Sequence, residues 1–205
     1  SNLVIIWDVT DPAHPFEVGR WAVPNADELR KAGTEYYIHT ADVTFQDEHA
    51  IVVVTSEDFG PHVSLFWVLD GDGMKDVKSG AEPINMTTLG TWHNPGNHDA
   101  TATLAFSLHN PRTHDGGILT ISSYHAGVWQ LDIRGKDLWA DPAPIAYAVY
   151  ADGSSTVAQD PVEGTVQGKL CGLASGIEAP EYMDVEVGHN GILYLADVFG
   201  GLYTF

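Results

Sequence analysis

Two features of the sequence predict an all-β fold, specifically a β-propeller of four-stranded antiparallel blades: a three-strand meander that recurs three times and a near absence of amphipathic helix. When the three copies are aligned, Ile51, Ile118 and Ile192 fall in register. The turns DEHA (47–50), HDGG (114–117) and GHNG (188–191) then occupy equivalent places. Glycine and aspartate suit such turns because they tolerate positive φ or bond their own backbone, and the β-branched runs between them suit pleated strands. One further strand precedes each meander, at 16–23, 87–92 and 145–150. The expected blades are therefore about 16–69, 87–133 and 145–205, within a single domain spanning 1–205.

Residues 3–9, LVIIWDV, match the outermost strand of one more blade. About three blades plus an orphan outer strand are fewer than the ~4 to 8 that close a ring. We therefore expect the C-terminal portion of a larger propeller, completed by N-terminal blades or by a second chain. A β-sandwich of about a dozen strands is the competing arrangement.

In chain order, the first run ends at Thr10-Asp11-Pro12, where proline cannot donate to a ladder. The second strand, FEVGRWAV, follows, and residues 24–36 with Asp27, Glu28, Leu29, Arg30 and Lys31 read as a short helix or an ordered insertion. Strands at 39–45 and 51–55 pair around residues 46–49, and a strand at 64–69 completes the unit. Residues 70–86, rich in Gly, Asp and Lys, form a loop before the 87–92 strand. The central meander 106–133 is the clearest copy; residues 151–180 form a long Gly/Ser-containing insertion before the last one.

LVIIWDVTDPAHPFEVG (3–19) resembles the LVIVD-repeat signature: apolar run, Asp, Val, Thr, Asp-Pro, a second Pro, then a strand closing on Gly. SSYHAGVWQLDI (122–133) resembles the same family's strand–turn–strand. The last unit departs from it, since GGLYTF lacks the Asp-Pro turn. The resemblance implies a bacterial or archaeal β-propeller, usually of seven blades, located outside the cell, in the periplasm or on the cell surface. It implies no particular reaction, so function has to be argued from a site.

With 28 Asp plus Glu against 9 Lys plus Arg, the formal charge is -19. Phosphate backbones and anionic lipid repel such a surface, which excludes nucleic acid as a first expectation. Cation binding, adaptation to high salt, or simple solubility accounts for the acidity. Cys171 is the single cysteine, so no disulfide forms within this stretch. No run approaches the ~18 apolar residues of a membrane span, and residues near Ser1 carry no signal-peptide pattern. We expect that Ser1 is not the start of the gene product, which leaves room for a signal peptide upstream.

Histidine is the sharpest chemical feature, with ten in 205 residues. Inner strands of a propeller line its axis, and imidazoles converging there from several blades can hold copper, iron or zinc. By position the candidates are His39, His98 and His109, with Glu181 or Asp184 taking the equivalent place in the last unit. Asp70, Asp72 and Asp76 are spaced like an acidic calcium loop, although Ala81 stands where an EF-hand has its glutamate. No G-x-S-x-G elbow and no phosphate-cradling glycine loop occurs. These observations favour an exported recognition or scaffold module that binds a protein, glycan or cation through its rim loops. The alternative is a metal-dependent oxidoreductase using histidines at the axis.

Overall fold

The computed structural model describes residues 2–58, 64–93, 107–114, 117–124, 127–151, 154–158, 182–189, 191–197 and 201–204. They form four mainly antiparallel sheets, none of them closed into a barrel. The first sheet contains β1 (Leu3–Asp8), β2 (Phe16–Ala22) and the short β6 (Ile84–Asn85), which runs parallel to β2. The second has the order β3 (Ile38–Gln46), β4 (His49–Ser56), β5 (Phe66–Asp70), β7 (Thr87–Trp92). The third follows chain order through β8 (Pro111–His114), β9 (Ile118–Ser122), β10 (Val128–Asp132), β11 (Ala143–Ala151) and β12 (Ser154–Ala158). The fourth is β13 (Tyr182–Val187), β14 (Leu193–Asp197) and β15 (Gly201–Thr204). Among the described residues, no helix is long and apolar enough to cross a membrane.

The sheets pack face to face in chain order, four layers rather than the two of a sandwich. Side chains alternate across a strand, so a central sheet sends alternate residues to each neighbour. Ala50, Val52, Val54, Trp67 and Leu69 join Val4, Val18 and Trp21 of the first sheet in one core. Ile51, Val53, Phe66 and Val68 point the other way, against Leu119, Ile121 and Leu131 of the third sheet. Val128 on the far face of the third sheet packs on Val185 and Leu195 of the fourth. A near-continuous apolar run in β4 thus reflects burial on both faces.

Hydrogen bonding corrects the expected grouping of strands. Thr87–Trp92 pairs with β5 of the preceding meander, and Ala143–Ala151 pairs with β10. Leu3–Asp8 is not an orphan, since it pairs with Phe16–Ala22. The connection before Thr87–Trp92 (71–86) is about as long as the one after it (93–110), so loop length gave no hint there, whereas the connection before Ala143–Ala151 (133–142) is much shorter than the stretch separating it from β13 and does point to β10.

The pairing also exposes a more detailed repeat. In β1–β2, β5–β7 and β10–β11 the register slips at the same place, at Ile6/Trp7, Val68/Leu69 and Gln130/Leu131. Each bulge is followed at once by an aspartate: Asp8, Asp70, Asp132. The Oδ1 of each accepts the backbone N–H two residues on, from Thr10 (2.8 Å), Asp72 (2.9 Å) and Arg134 (2.9 Å). An aspartate at this position stops the strand by offering its own acceptor to the turning backbone. That is a physical reason for the aspartate in the repeated run.

Helix α1 (Ala26–Ala32) occupies the expected 24–36 stretch, with Asp27 and Glu28 in its first turn and Arg30 and Lys31 in its last, as its dipole favours. Helix α2 (Lys136–Ala140) closes on β7. A Cβ built on Gly90 would lie 2.3 Å from the Trp139 carbonyl oxygen and 2.4 Å from that of Ala140. Only glycine fits there. Gly90→Ala is expected to lower unfolding stability by about 3 kcal/mol, from overpacking against backbone that has no rotamer to yield. Urea denaturation checks this, and an unchanged midpoint would contradict it.

Candidate metal centre

The second and third sheets meet along β3 and β8, and the third and fourth along β8, β9 and β13. Polar contacts hold these seams. Asp42 Oδ2 accepts both the Thr113 N–H (3.0 Å) and its hydroxyl (2.7 Å), and Thr40 Oγ1 donates to Asn110 Oδ1 (2.7 Å). Arg112 reaches Asp184 (3.2 Å) and Glu186 (3.4 Å) on β13.

At one end of this seam three potential ligands converge. Antiparallel pairing sets Ile38 opposite Ser56, so His39 at the start of β3 and Glu57 just past β4 emerge together. A register slip between Ile38 and Thr40 frees His39 from the regular alternation, and the Glu57 N–H donates to the Tyr37 carbonyl (2.8 Å). His109 arrives from the third sheet, on the segment leading into β8. Its N–H donates to the Ser122 carbonyl (2.9 Å), and its own carbonyl accepts the Thr55 hydroxyl (2.5 Å). Buried hydroxyls fasten the same segment to the second sheet: Ser64 Oγ accepts the Leu108 N–H (3.0 Å), and Ser107 Oγ accepts that of Asp58 (2.7 Å).

His39 Nδ1 lies 3.3 Å from Glu57 Oε2, and His109 Nε2 lies 3.5 Å from Glu57 Oε1. One ligand atom from each residue can be chosen so that all three lie within 4.8 Å of one another. Two ligands each ~2.1 Å from a tetrahedral ion stand about 3.4 Å apart, so each imidazole nitrogen stands at a ligand-to-ligand distance from one oxygen of Glu57, a different oxygen for each. The imidazole rings of His39 and His109 lie 4.0 Å apart between centroids. His109 is 5% exposed, whereas the His39 side chain is 27% exposed and gives that side partial contact with solvent.

The tautomer of His109 follows from its partners. Its Nδ1 faces the Met183 carbonyl on β13, which can only accept, and Ser122 Oγ donates to the same oxygen (3.0 Å). The ring proton is therefore assigned to Nδ1, and in the neutral ring Nε2 presents a lone pair. That lone pair confronts the Glu57 carboxylate, two acceptors face to face. A cation between them, a proton or a metal ion, resolves the conflict. Burial, and after it the nearby His39, pushes the His109 pKa below the ordinary histidine value, which disfavours the proton. Donation of Nδ1–H to a carbonyl is also the arrangement that orients metal-binding histidines.

Comparison with protein-family models, with curated proteins and with solved structures found no match. What this centre can do therefore rests on its own geometry.

Of the four sequence-predicted ligands, the structure brings together His39 and His109; His98 and Glu181 lie outside the described residues. Asp184, the alternative to Glu181, is engaged by Arg112. Glu57 and Tyr124 escaped the sequence reading. Tyr124 donates its hydroxyl to Glu57 Oε1 and stands edge-on to the His109 ring. Regular pairing of 46 with 49 would set 57 opposite 38, so it is the register slip between Ile38 and Thr40, which the sequence does not show, that brings Glu57 to His39. Asp70 and Asp72 serve turns: Asp70 accepts the Asp72 N–H, and Asp72 accepts the Ala50 N–H (2.9 Å) and pairs with His49 (2.6 Å). Asp76 ends a 3-10 turn, Met74–Asp76. Among the described residues, these three are not gathered into a metal-sized group.

The low proton affinity of folded His109 has a measurable consequence. Below the ordinary value of about 6.5 the unfolded chain binds a proton that the folded chain resists, so folding stability is fully present above that pH and declines as pH falls. His39, Glu57 and Asp184 surround the ring and share in the balance. The metal-free protein is expected to melt at a level temperature above about pH 7 and progressively lower toward about pH 5, a fall that His109→Asn largely removes. A flat profile through that window would contradict the assignment.

Proposed function

We propose that the four sheets are successive blades of a β-propeller and that His39, Glu57 and His109 hold a divalent transition-metal ion at its axis. The single observation that carries the metal reading is the apposition of the His109 Nε2 lone pair and the Glu57 carboxylate at 3.5 Å, with the His39 imidazole alongside. Two imidazoles and one carboxylate suit zinc, copper or iron(II), and such a set leaves coordination positions for an exchangeable molecule. The partly exposed His39 side supplies its access. Such a centre polarises a bound water or carbonyl when the ion is zinc and exchanges electrons when it is copper or iron. The function supported best is therefore metal-dependent chemistry on a small molecule, in preference to recognition through rim loops alone.

The propeller reading draws support from the layering, from the recurring bulge-plus-aspartate, and from the approach of β3 to β8 and of β8 and β9 to β13. Leu3, Ile5 and Trp7 alternate along β1 and are 45%, 40% and 51% exposed, on the face turned away from the second sheet. An apolar sheet face of this kind fits coverage by a further blade. The LVIVD-repeat resemblance accords with this arrangement.

Titration calorimetry of chelator-treated protein with Zn²⁺, Cu²⁺ and, without oxygen, Fe²⁺ tests the function. One equivalent bound, and lost in the His39→Ala/His109→Ala double variant, is expected. Binding that survives in the double variant would overturn the reading.

A further inference from the structure

We propose that Tyr124 is a fourth protein ligand of this centre, binding the metal through its phenolate oxygen. The proposal rests on the metal reading above and adds a donor of a different chemical kind. The Tyr124 hydroxyl already touches the Glu57 oxygen that faces His109 Nε2, so it stands at the coordination cluster itself. The side chain is buried, with the residue 5% exposed, and its ring meets that of His109 edge-on at 84° with centroids 5.4 Å apart. The phenol enters between the same elements that deliver the other ligands.

The backbone adds an independent observation. Tyr124 has φ +38°, in the left-handed region that a bulky residue rarely adopts. The turn that holds it is closed by Gly127 N–H to the Tyr124 carbonyl (3.1 Å) and Ser123 N–H to the Gly127 carbonyl (2.8 Å). A glycine would meet this turn without cost, yet a tyrosine stands there and aims its hydroxyl at the carboxylate. Conformations of this sort persist where the surroundings impose them and cluster at functional sites. On coordination the O–H bond breaks, an oxygen–metal bond forms, and the proton leaves to solvent past the partly exposed Glu57. Phenolate is a hard anionic donor, so the centre would favour copper(II) or iron(III) over softer ions.

Copper(II) added in one equivalent to the metal-free full chain is the probe, followed by visible absorption and resonance Raman spectroscopy. The wild-type protein is expected to develop a phenolate-to-copper charge-transfer band whose Raman spectrum carries tyrosinate ring modes. Tyr124→Phe is expected to lose the band while still binding one equivalent through the three remaining ligands, about a hundredfold more weakly, the upper end of what loss of an orienting partner costs. A copper-loaded wild type without the band, or a band that persists in Tyr124→Phe, would overturn the tyrosine ligand and leave the three-residue centre standing. Failure of the wild type to bind copper at all would overturn both. If Tyr124→Phe does not fold, as circular dichroism would reveal, the Raman spectrum of the wild type decides alone.

Discussion

His109→Ala is expected to weaken binding of zinc or copper by at least about a hundredfold, more than loss of an orienting partner does. The substitution removes Nε2 from the cluster and with it a buried imidazole ligand that the third sheet delivers. It also removes the donor from the Met183 carbonyl, but Ser122 Oγ still satisfies that oxygen, so the seam with the fourth sheet persists. Glu57 keeps its bond from Tyr124. The fold should therefore survive while affinity collapses, a separation that calorimetry and circular dichroism read side by side. Unchanged affinity in a folded variant would remove His109 from the centre.

Phe66→Ala is expected to cost about 3–5 kcal/mol of unfolding stability, among the largest effects of any single core truncation. Phe66 is fully buried on the face of β5 that meets the third sheet, within a core that includes Leu108, Leu119, Ile121 and Leu131. Both walls of that core are hydrogen-bonded sheets, and rigid walls collapse poorly around a lost ring. Because the same packing brings His109 against His39, metal affinity is expected to fall along with stability. Equilibrium denaturation gives the first quantity and calorimetry the second. A loss below about 1 kcal/mol would mean that the second and third sheets do not depend on this contact.

Much of the architecture was legible in the sequence because its determinants are local. Alternating β-branched runs and Gly/Asp turns depend on neighbouring residues, and the β3–β4 hairpin and the central meander follow from them. Strand membership is a different matter. Whether Thr87–Trp92 pairs backward or forward depends on which exposed edge is nearer in space, and loop lengths on the two sides carry no contrast. Trp7 illustrates the same limit. Aligned on the repeated aspartates, Trp67 and Trp129 are equivalent and buried, whereas Trp7 sits two residues further along and is half exposed.

The metal centre was half legible. His39 and His109 stand out by residue type and by position, at or just before the first strands of the second and third sheets. Glu57 hides among many acidic residues, and its place beside His39 follows only from a slip in the register of a hairpin. Tyr124 reaches the site through a left-handed backbone at a position where the sequence shows an ordinary Ser-Ser-Tyr-His turn. Long-range apposition of this kind has no signature in a single chain read from end to end.

The most direct test is a crystal structure of the protein grown with one equivalent of zinc or copper, with data collected at the metal's absorption edge. An anomalous peak about 2.0–2.2 Å from His39 Nδ1, His109 Nε2 and a Glu57 oxygen is the result expected. A peak elsewhere, such as beside His49 and Asp72, with no metal between Glu57 and the two imidazoles, would contradict it.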